Sequence, residues 1–253
     1  MFQIETEIKF VLVEEKPEHE IKAVLKETLA DVAEISKNVA SVLCDTYYDT
    51  RDRQLSRQRW GLRIRKDGLN ALVALKGPAI VSSTGALVRP EFEGPLEPES
   101  LQVFSQKLRS LGIEISLAIS DSLETGDVLV SEGLCVIQKR KTERLSYWLW
   151  DKTSGILVGE LVIDKVIYEV GGNYVIHNEI EIECKNEHMG KEFNNILNVL
   201  SERLPHGFCR WTIDKLALGF ILEELATEGL LKGMLDSGGK LSENAYNIIK
   251  MRP

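Results

Sequence analysis

The chain has 253 residues, of which 43% are hydrophobic and 28% charged; this is a globular composition with enough apolar material for a core, and it excludes a chain disordered throughout. Its 31 basic and 39 acidic residues leave a formal charge of -8, so no uniform basic field exists to hold a nucleic acid backbone, and DNA is not an expected partner. No uncharged apolar run approaches the roughly 20 residues of a membrane span, and no leader pattern follows Met1, so a cytoplasmic protein without a membrane partner is expected.

Four cysteines (Cys44, Cys135, Cys184, Cys209) lie far apart without paired zinc spacing, which fits free thiols in a reducing compartment.

In the first segment, Met1 to Val13, Ile4, Ile8, Phe10 and Leu12 share one parity, and Glu5, Glu7 and Lys9 share the other. Period two predicts a strand with the two sets on opposite faces. Pro17 opens a helical stretch with Ile21, Val24, Leu25 and Leu29 at helical spacing. A strand over 42–49 ends in a turn at Asp49-Thr50-Arg51-Asp52. Strands over 60–66 and 71–76 flank Asp67-Gly68, a hairpin signal. Another strand, 87–93, is closed by Gly94-Pro95, and a helix follows at about 98–111.

The stretch 134–150 reads as one long strand or two short ones. Strands over 159–168 and 174–185 are joined by Gly171-Gly172-Asn173. The period then changes to helical around Phe193, Ile196, Leu197 and Leu200, and again over 212–231. The residues after Gly238-Gly239 are weakly patterned and are expected to form a loosely docked or frayed tail. About eight antiparallel strands of alternating polarity, with helices between them, suggest a closed barrel in a mainly β, α+β fold.

The polar faces of these strands carry charge of both signs almost exclusively. The acids are Glu5, Glu7, Glu91, Glu93, Glu160, Asp164, Glu179, Glu181 and Glu183; the bases are Lys9, Arg63, Arg65, Lys76, Arg89, Arg140 and Arg144. Cross-strand ion pairing on a solvated face would explain one such strand. Seven such strands point instead to charge turned inward. The opposite faces, with Ile4, Ile8, Phe10, Leu62, Ile64, Phe92, Leu161, Ile163, Ile180 and Ile182, are then covered by helices from outside. A charged lumen must be wet and must bind ions. Guanidinium and ammonium groups suit phosphate oxygens, and clustered carboxylates suit a hard divalent cation, Mg2+ or Mn2+. Together they suit a metal-complexed polyphosphate.

Glu5-Thr6-Glu7-Ile8-Lys9 resembles the ExExK signature of the CYTH superfamily, the triphosphate tunnel metalloenzymes. Further segments resemble family elements in order: Tyr47-Tyr48-Asp49-Thr50, Leu62-Arg63-Ile64-Arg65, Lys76-Gly77, Arg89-Pro90-Glu91-Phe92-Glu93, the acidic strand from Glu160 to Asp164, Glu179-Ile180-Glu181, and Lys215. The resemblance covers about residues 2–220. It implies an eight-stranded antiparallel β-barrel tunnel with helices outside, a tunnel domain over 1–222, and a helical extension or tail over 223–253. The family's compact basic motif is replaced by Gln138-Lys139-Arg140-Lys141-Thr142-Glu143-Arg144; parity favours Arg140 and Arg144, and a bulge would substitute Lys139 or Lys141. The segments at about 96–132 and after 222 exceed the minimal family core, as a lid, a homodimer contact or decoration.

The resemblance implies a metal-dependent triphosphatase with one or two Mg2+ or Mn2+ ions. Lys9, Arg63, Arg65, Lys76, Arg89, Arg140 and Arg144 would bind phosphate oxygens. Glu5, Glu7, Glu179 and Glu181, with Glu91, Glu93 or Asp164, would hold metal. Glu7, Lys9 and Lys215 would be catalytic, Lys215 by polarising the terminal phosphate or protonating a leaving oxygen. Residue alternatives accompany these roles: Glu183 as a rim charge paired with a lysine, Glu93 as the residue that orients Arg89, Lys215 as a helix-surface lysine, and Tyr47 and Tyr48 as packing. The four histidines show no ligand spacing and receive no chemistry. Inorganic tripolyphosphate is the first substrate, since it needs nothing beyond the tunnel. The alternatives are a class IV-type adenylate cyclase, a thiamine triphosphatase, a nucleoside or RNA 5′-triphosphatase and, in a different class, a non-catalytic polyphosphate-binding module.

Overall fold

The computed structural model describes residues 3–14, 16–36, 39–117 and 133–252. Its elements are β1 (Gln3–Leu12), α1 (Glu18–Leu29), β2 (Ala33–Ile35), β3 (Val39–Thr50), α2 (Gln54–Arg57), β4 (Gly61–Asp67), β5 (Asn70–Lys76), β6 (Ile80–Val81), β7 (Leu87–Pro95), α3 (Pro98–Ser110), β8 (Leu134–Asp151), β9 (Leu157–Val170), β10 (Asn173–Cys184), α4 (Gly190–Arg203), β11 (Phe208–Trp211), α5 (Lys215–Thr227) and α6 (Glu243–Lys250). The stretch 134–150 is thus one continuous strand. Part of the long segment at 96–132 lies outside the described residues. No helix among those described is long and apolar enough to cross a membrane.

The chain divides into two compact units. The first comprises Met1–Ile4, Val42–Ala79 and Arg89–Lys141; the second comprises Glu5–Ser41, Ile80–Val88 and Thr142–Pro253.

In the first unit, β3, β4, β5 and β7 pair antiparallel in that order. The hairpin turn lies one residue beyond its expected place. Asp67 pairs with Asn70, and Gly68 takes the first central position at φ +58, where a side chain would be strained. Gly94-Pro95 continues β7 rather than closing it. One face of this sheet is apolar: Leu62, Ile64, Val73 and Leu75 bury against Leu101, Phe104 and Leu108 of α3, with Phe92 packed beside them. The three α3 residues recur at helical spacing, so a single stripe faces the sheet.

The second unit is built on β11, β1, β10, β9 and the later half of β8, with β2 paired to β8. Ile8, Phe10, Leu161, Ile163, Ile180 and Ile182 bury under Ile21, Leu25 and Leu29 of α1 and Phe193, Ile196, Leu197 and Leu200 of α4. This is the cover expected from the alternation. Ile4 is the exception, being exposed at the start of β1.

The opposite face of the same strands changes character along its length. On β1, Glu5, Glu7 and Lys9 give way to Val11. On β9, Asp164 gives way to Val166 and Tyr168, and on β10 Glu179 gives way to His177 and Val175. Val11, Val166, Tyr168, Val170 and Val175 pack against Trp211, α5, the turn of 3-10 helix Leu231–Met234 and α6. The residues after Gly238 are therefore docked, not frayed. Gly239, at φ +81, lies so close to β10 that a Cβ would meet the Tyr174 carbonyl oxygen at 2.6 Å. Ile176 N donates to Gly239 O at 2.8 Å, and Leu241 N donates to Ile176 O at 3.1 Å. Leu241, Ala245, Tyr246 and Ile249 are buried behind this junction.

Candidate functional site

Each unit carries one charged cluster. In the first, register places Asp45 of β3 opposite Arg65 of β4, and Tyr47 opposite Arg63. Asp45 is the buried centre. It accepts from Arg65 Nε at 2.7 Å and Nη2 at 2.9 Å, and from Arg140 Nε and Nη2 at 3.3 Å; Arg63 Nη1 stands 3.9 Å away. Burial alone would raise the Asp45 carboxyl, but Arg63, Arg65 and Arg140 outweigh it and hold it far below the usual carboxylate range. Burial disfavours charge on Arg63 as well, yet Asp45, Tyr47 and Glu93 keep it firmly protonated. Arg140 also donates to Tyr47 Oη and to Gln138 Oε1, and its guanidinium stacks 4.6 Å from the Tyr47 ring centroid.

The neighbouring strands extend this cluster. Arg63 and Glu93 lie on either side of the small Ala74 and meet at 3.2 Å across it. Lys76 lies opposite Glu91 and pairs with it at 3.0 Å. Glu93 thus partners Arg63. Arg89 itself is buried on β7. Tyr48 packs in the core, as expected, whereas Tyr47 belongs to the charged cluster. Asp49 holds the local backbone in shape. Its carboxylate accepts from the amides of Thr50, Leu55 and Ser56 and from Ser56 Oγ, which ties down the turn that opens α2.

In the second unit the register sets acid against acid. Glu179 lies opposite Asp164, Glu183 opposite Glu160, and Glu7 opposite Glu183. Like charges at such positions repel, so cations must lie among them. Lys9 bridges Glu181 at 2.7 Å and Glu7 at 3.3 Å. Arg144 makes a two-pronged contact to Asp164, at 2.8 and 2.6 Å, and reaches Glu181 at 3.2 Å. Lys185 pairs with Glu183 at 2.7 Å, the rim pairing expected for that glutamate, and with Glu160 at 3.6 Å. Glu5 is buried at the start of the same face.

Lys215 approaches the same acids from α5. Asp214 caps α5 by accepting from Ala217 N at 2.8 Å, which puts Lys215 at the first helical position. A cation there opposes the helix dipole, and the opposition is met by carboxylates. Lys215 Nζ pairs with Asp164 at 3.1 Å, with Glu181 at 2.7 Å, and with Glu179. It is buried, so a helix-surface role does not describe it. Burial would lower the ammonium, but Glu179, Glu181 and Asp164 raise it above the ordinary lysine value. Likewise burial would raise Glu181, but Lys215, Lys9 and Arg144 hold it well below the usual range. Asp164 is held down in the same way, against burial, by Arg144 and Lys215.

Carboxylate oxygens of Asp164, Glu179 and Glu181 all lie within 4.8 Å of one another. Oxygen-only donors of this charge fit Mg2+ or Mn2+. Parity on β8 is regular: Arg140 and Arg144 each engage a buried acid, while Lys139 and Lys141 are exposed. Three participants escaped sequence reasoning. Asp45 shares the parity of Tyr47, and His177 shares the parity of Glu179, so the period-two argument could have found both. Tyr246, which bonds to His177 at 3.1 Å, carried no signal.

The CYTH domain family matches residues 3–202. Similar solved structures include a protein from Hippeastrum proposed as an adenylyl cyclase and described as having a dominant triphosphatase activity. It is 19% identical over 86% of this chain and 95% of that one, with a TM-score of 0.50. A second, from Bacillus halodurans and also named for adenylate cyclase, is 21% identical over 87% and 98% of the two chains, with a TM-score of 0.47. The RNA triphosphatase domain of a mimivirus mRNA capping enzyme is 9% identical over 79% and 90%, with a TM-score of 0.40. No curated protein matches the chain. The likeness to the Hippeastrum structure supports the expected fold class for this chain, an eight-stranded antiparallel β-barrel with helices outside.

Proposed function

Because this chain belongs to the CYTH family, we propose that it is a metal-dependent triphosphate hydrolase, with inorganic tripolyphosphate as its first substrate and one or two Mg2+ or Mn2+ ions as cofactor. One observation carries the reading: Asp164, Glu179 and Glu181 are gathered around Lys215, on a sheet that sets acid opposite acid. A sheet built only for stability would place opposite charges there. A module that only bound polyanion would have no use for these carboxylates. The triphosphatase activity named for the Hippeastrum protein supports the same substrate class.

Asp164, Glu179 and Glu181, with Glu5 and Glu7, would hold the metal. Glu91 and Glu93 act first as counter-ions of Lys76 and Arg63. When bound there, a divalent ion would supply neutralisation of phosphate charge and a lowered pKa for water. Lys9, Arg63, Arg65, Lys76, Arg89, Arg140 and Arg144 bind and orient phosphate oxygens, whose charge shifts as the anhydride breaks. The acidic partners of Lys9, Arg63, Arg65, Lys76, Arg140 and Arg144 hold those side chains in place before substrate arrives, which lowers the ordering cost of binding. Glu7, buried beside Lys9, orients the attacking water. Lys215, held protonated by the surrounding carboxylates, polarises the terminal phosphate or protonates the leaving oxygen.

The test is phosphate release from tripolyphosphate, ATP, GTP, thiamine triphosphate and pyrophosphate, with Mg2+ or Mn2+ and with EDTA; cyclic AMP is read in the ATP tubes. Fast, chelator-sensitive release from tripolyphosphate is expected. A preferred organic triphosphate, or cyclic AMP, would move the activity to that substrate. Tight tripolyphosphate binding with no turnover of any substrate would replace the hydrolase by a binding module.

A further inference from the structure

We propose that His177 and Tyr246 are positioning residues for Glu179, so that the C-terminal helix α6 sets how tightly the acidic trio holds a divalent cation. The inference rests on the trio's being a metal site.

His177 is wholly buried on β10, two residues before Glu179 and on the same face. Its Nε2 lies 2.9 Å from Glu179 Oε2, and its Nδ1 lies 3.1 Å from Tyr246 Oη. The proton positions follow from the partners. A carboxylate oxygen accepts, so Nε2 carries the hydrogen. The Tyr246 oxygen is also engaged with the Asn178 backbone, and burial together with the Glu179 charge keeps the phenol protonated. The imidazole is thus held in one orientation, with Nε2 donating to Glu179 and Nδ1 hydrogen-bonded to the Tyr246 hydroxyl. The ring is also wedged between Trp211 and Tyr246, at centroid distances of 5.9 and 5.7 Å.

The consequence falls on the carboxylate. Glu179 Oε2 is engaged by His177, and Oε1 is turned toward Lys215. A carboxylate held at one oxygen cannot swing, so its other oxygen is presented in one direction. Partners that orient ligating groups in this way contribute roughly 10- to 100-fold to metal affinity elsewhere. Here the last link comes from residue 246, on a segment that packs against β10 through Gly239 and Leu241. A merely structural chain would satisfy buried polar groups and change stability alone.

The experiment measures Mn2+ binding to the purified full-length protein by the electron paramagnetic resonance of free Mn2+, with thermal unfolding recorded alongside. Tyr246→Phe, which removes one oxygen and keeps the packing, is expected to weaken Mn2+ binding about tenfold, at the low end of that range. His177→Ala is expected to do the same. His177→Gln, which restores an N–H near the Nε2 position, is expected to recover binding to within about threefold of wild type. Mn2+ affinity unchanged in Tyr246→Phe would overturn the proposal, and this variant carries the test alone if His177→Ala does not fold. Glu179→Gln separates the two readings. If it binds Mn2+ as wild type does, the metal site and this inference fall together. If it binds weakly while Tyr246→Phe does not, only the positioning role falls.

Discussion

Asp45 shows how one buried carboxylate organises a basic cluster. Three arginines converge on it, and their mutual repulsion is tolerable only while it stays ionised. Replacing one partner of a buried ion pair typically costs about 3–5 kcal/mol, because the remaining charges lose compensation. Asp45→Asn is therefore expected to lower stability by about that amount at pH 7, read by urea unfolding. The sign with pH follows from the direction of the shift. The folded carboxyl is held below its ordinary value of 3.8, so its stabilisation is fully present above that value and is lost as pH falls below it. The gap between wild type and Asp45→Asn should be constant from pH 7 to about pH 4.5 and should narrow toward pH 3. A gap that widened on acidification would contradict the arrangement.

At the scale of the element, β8 makes the sharpest comparison. Four basic residues in six positions look alike in composition, yet a regular strand sends Lys139 and Lys141 to solvent and Arg140 and Arg144 to buried acids. Lys139→Ala and Lys141→Ala should leave triphosphate turnover within about twofold, as surface changes usually do. Arg140→Ala and Arg144→Ala should each reduce kcat/KM at least about tenfold, the loss of a charge-assisted contact to phosphate. Equal effects at all four positions would mean that β8 bulges in solution. The same period-two logic made β1, β9 and β10 legible, because parity is a property of the backbone and needs no partner. Elements of two to four residues, β2, α2, β6 and β11, were not legible, since none is long enough to show a period.

For the molecule as a whole, the C-terminal residues matter more than their weak pattern suggested. Leu231, Met234, Leu241, Ala245, Tyr246 and Ile249 form one buried group with Val166, Val175 and Leu222. Ile249→Ala should cost about 2–5 kcal/mol, the usual range for truncating a buried aliphatic side chain. That corresponds to a fall in Tm of several degrees for a chain of this length, measurable by calorimetry. An unchanged Tm would indicate a tail that docks only marginally. Pattern failed here because the segment has a single two-turn helix and gains its apolar partners from β10 and α5 rather than from its own periodicity.

The amino-acid sequence by itself determined which residues share a face. Alternation separated the charged set from the apolar set, and the order of ExExK, L-R-x-R, R-x-E-x-E and E-x-E identified the family. Parity favoured Arg140 and Arg144 over their neighbours, but only the strand itself decided against a bulge that would substitute Lys139 or Lys141. Only the tertiary structure decided which charge meets which. Lys9 and Glu181 are 172 positions apart in sequence, and Arg140 and Asp45 are 95 apart. Parity says that such groups point the same way, but register and strand order say which are opposite. Asp45, His177 and Tyr246 emerged at that second step, because a single polar residue has no period and takes its meaning from the groups folded against it.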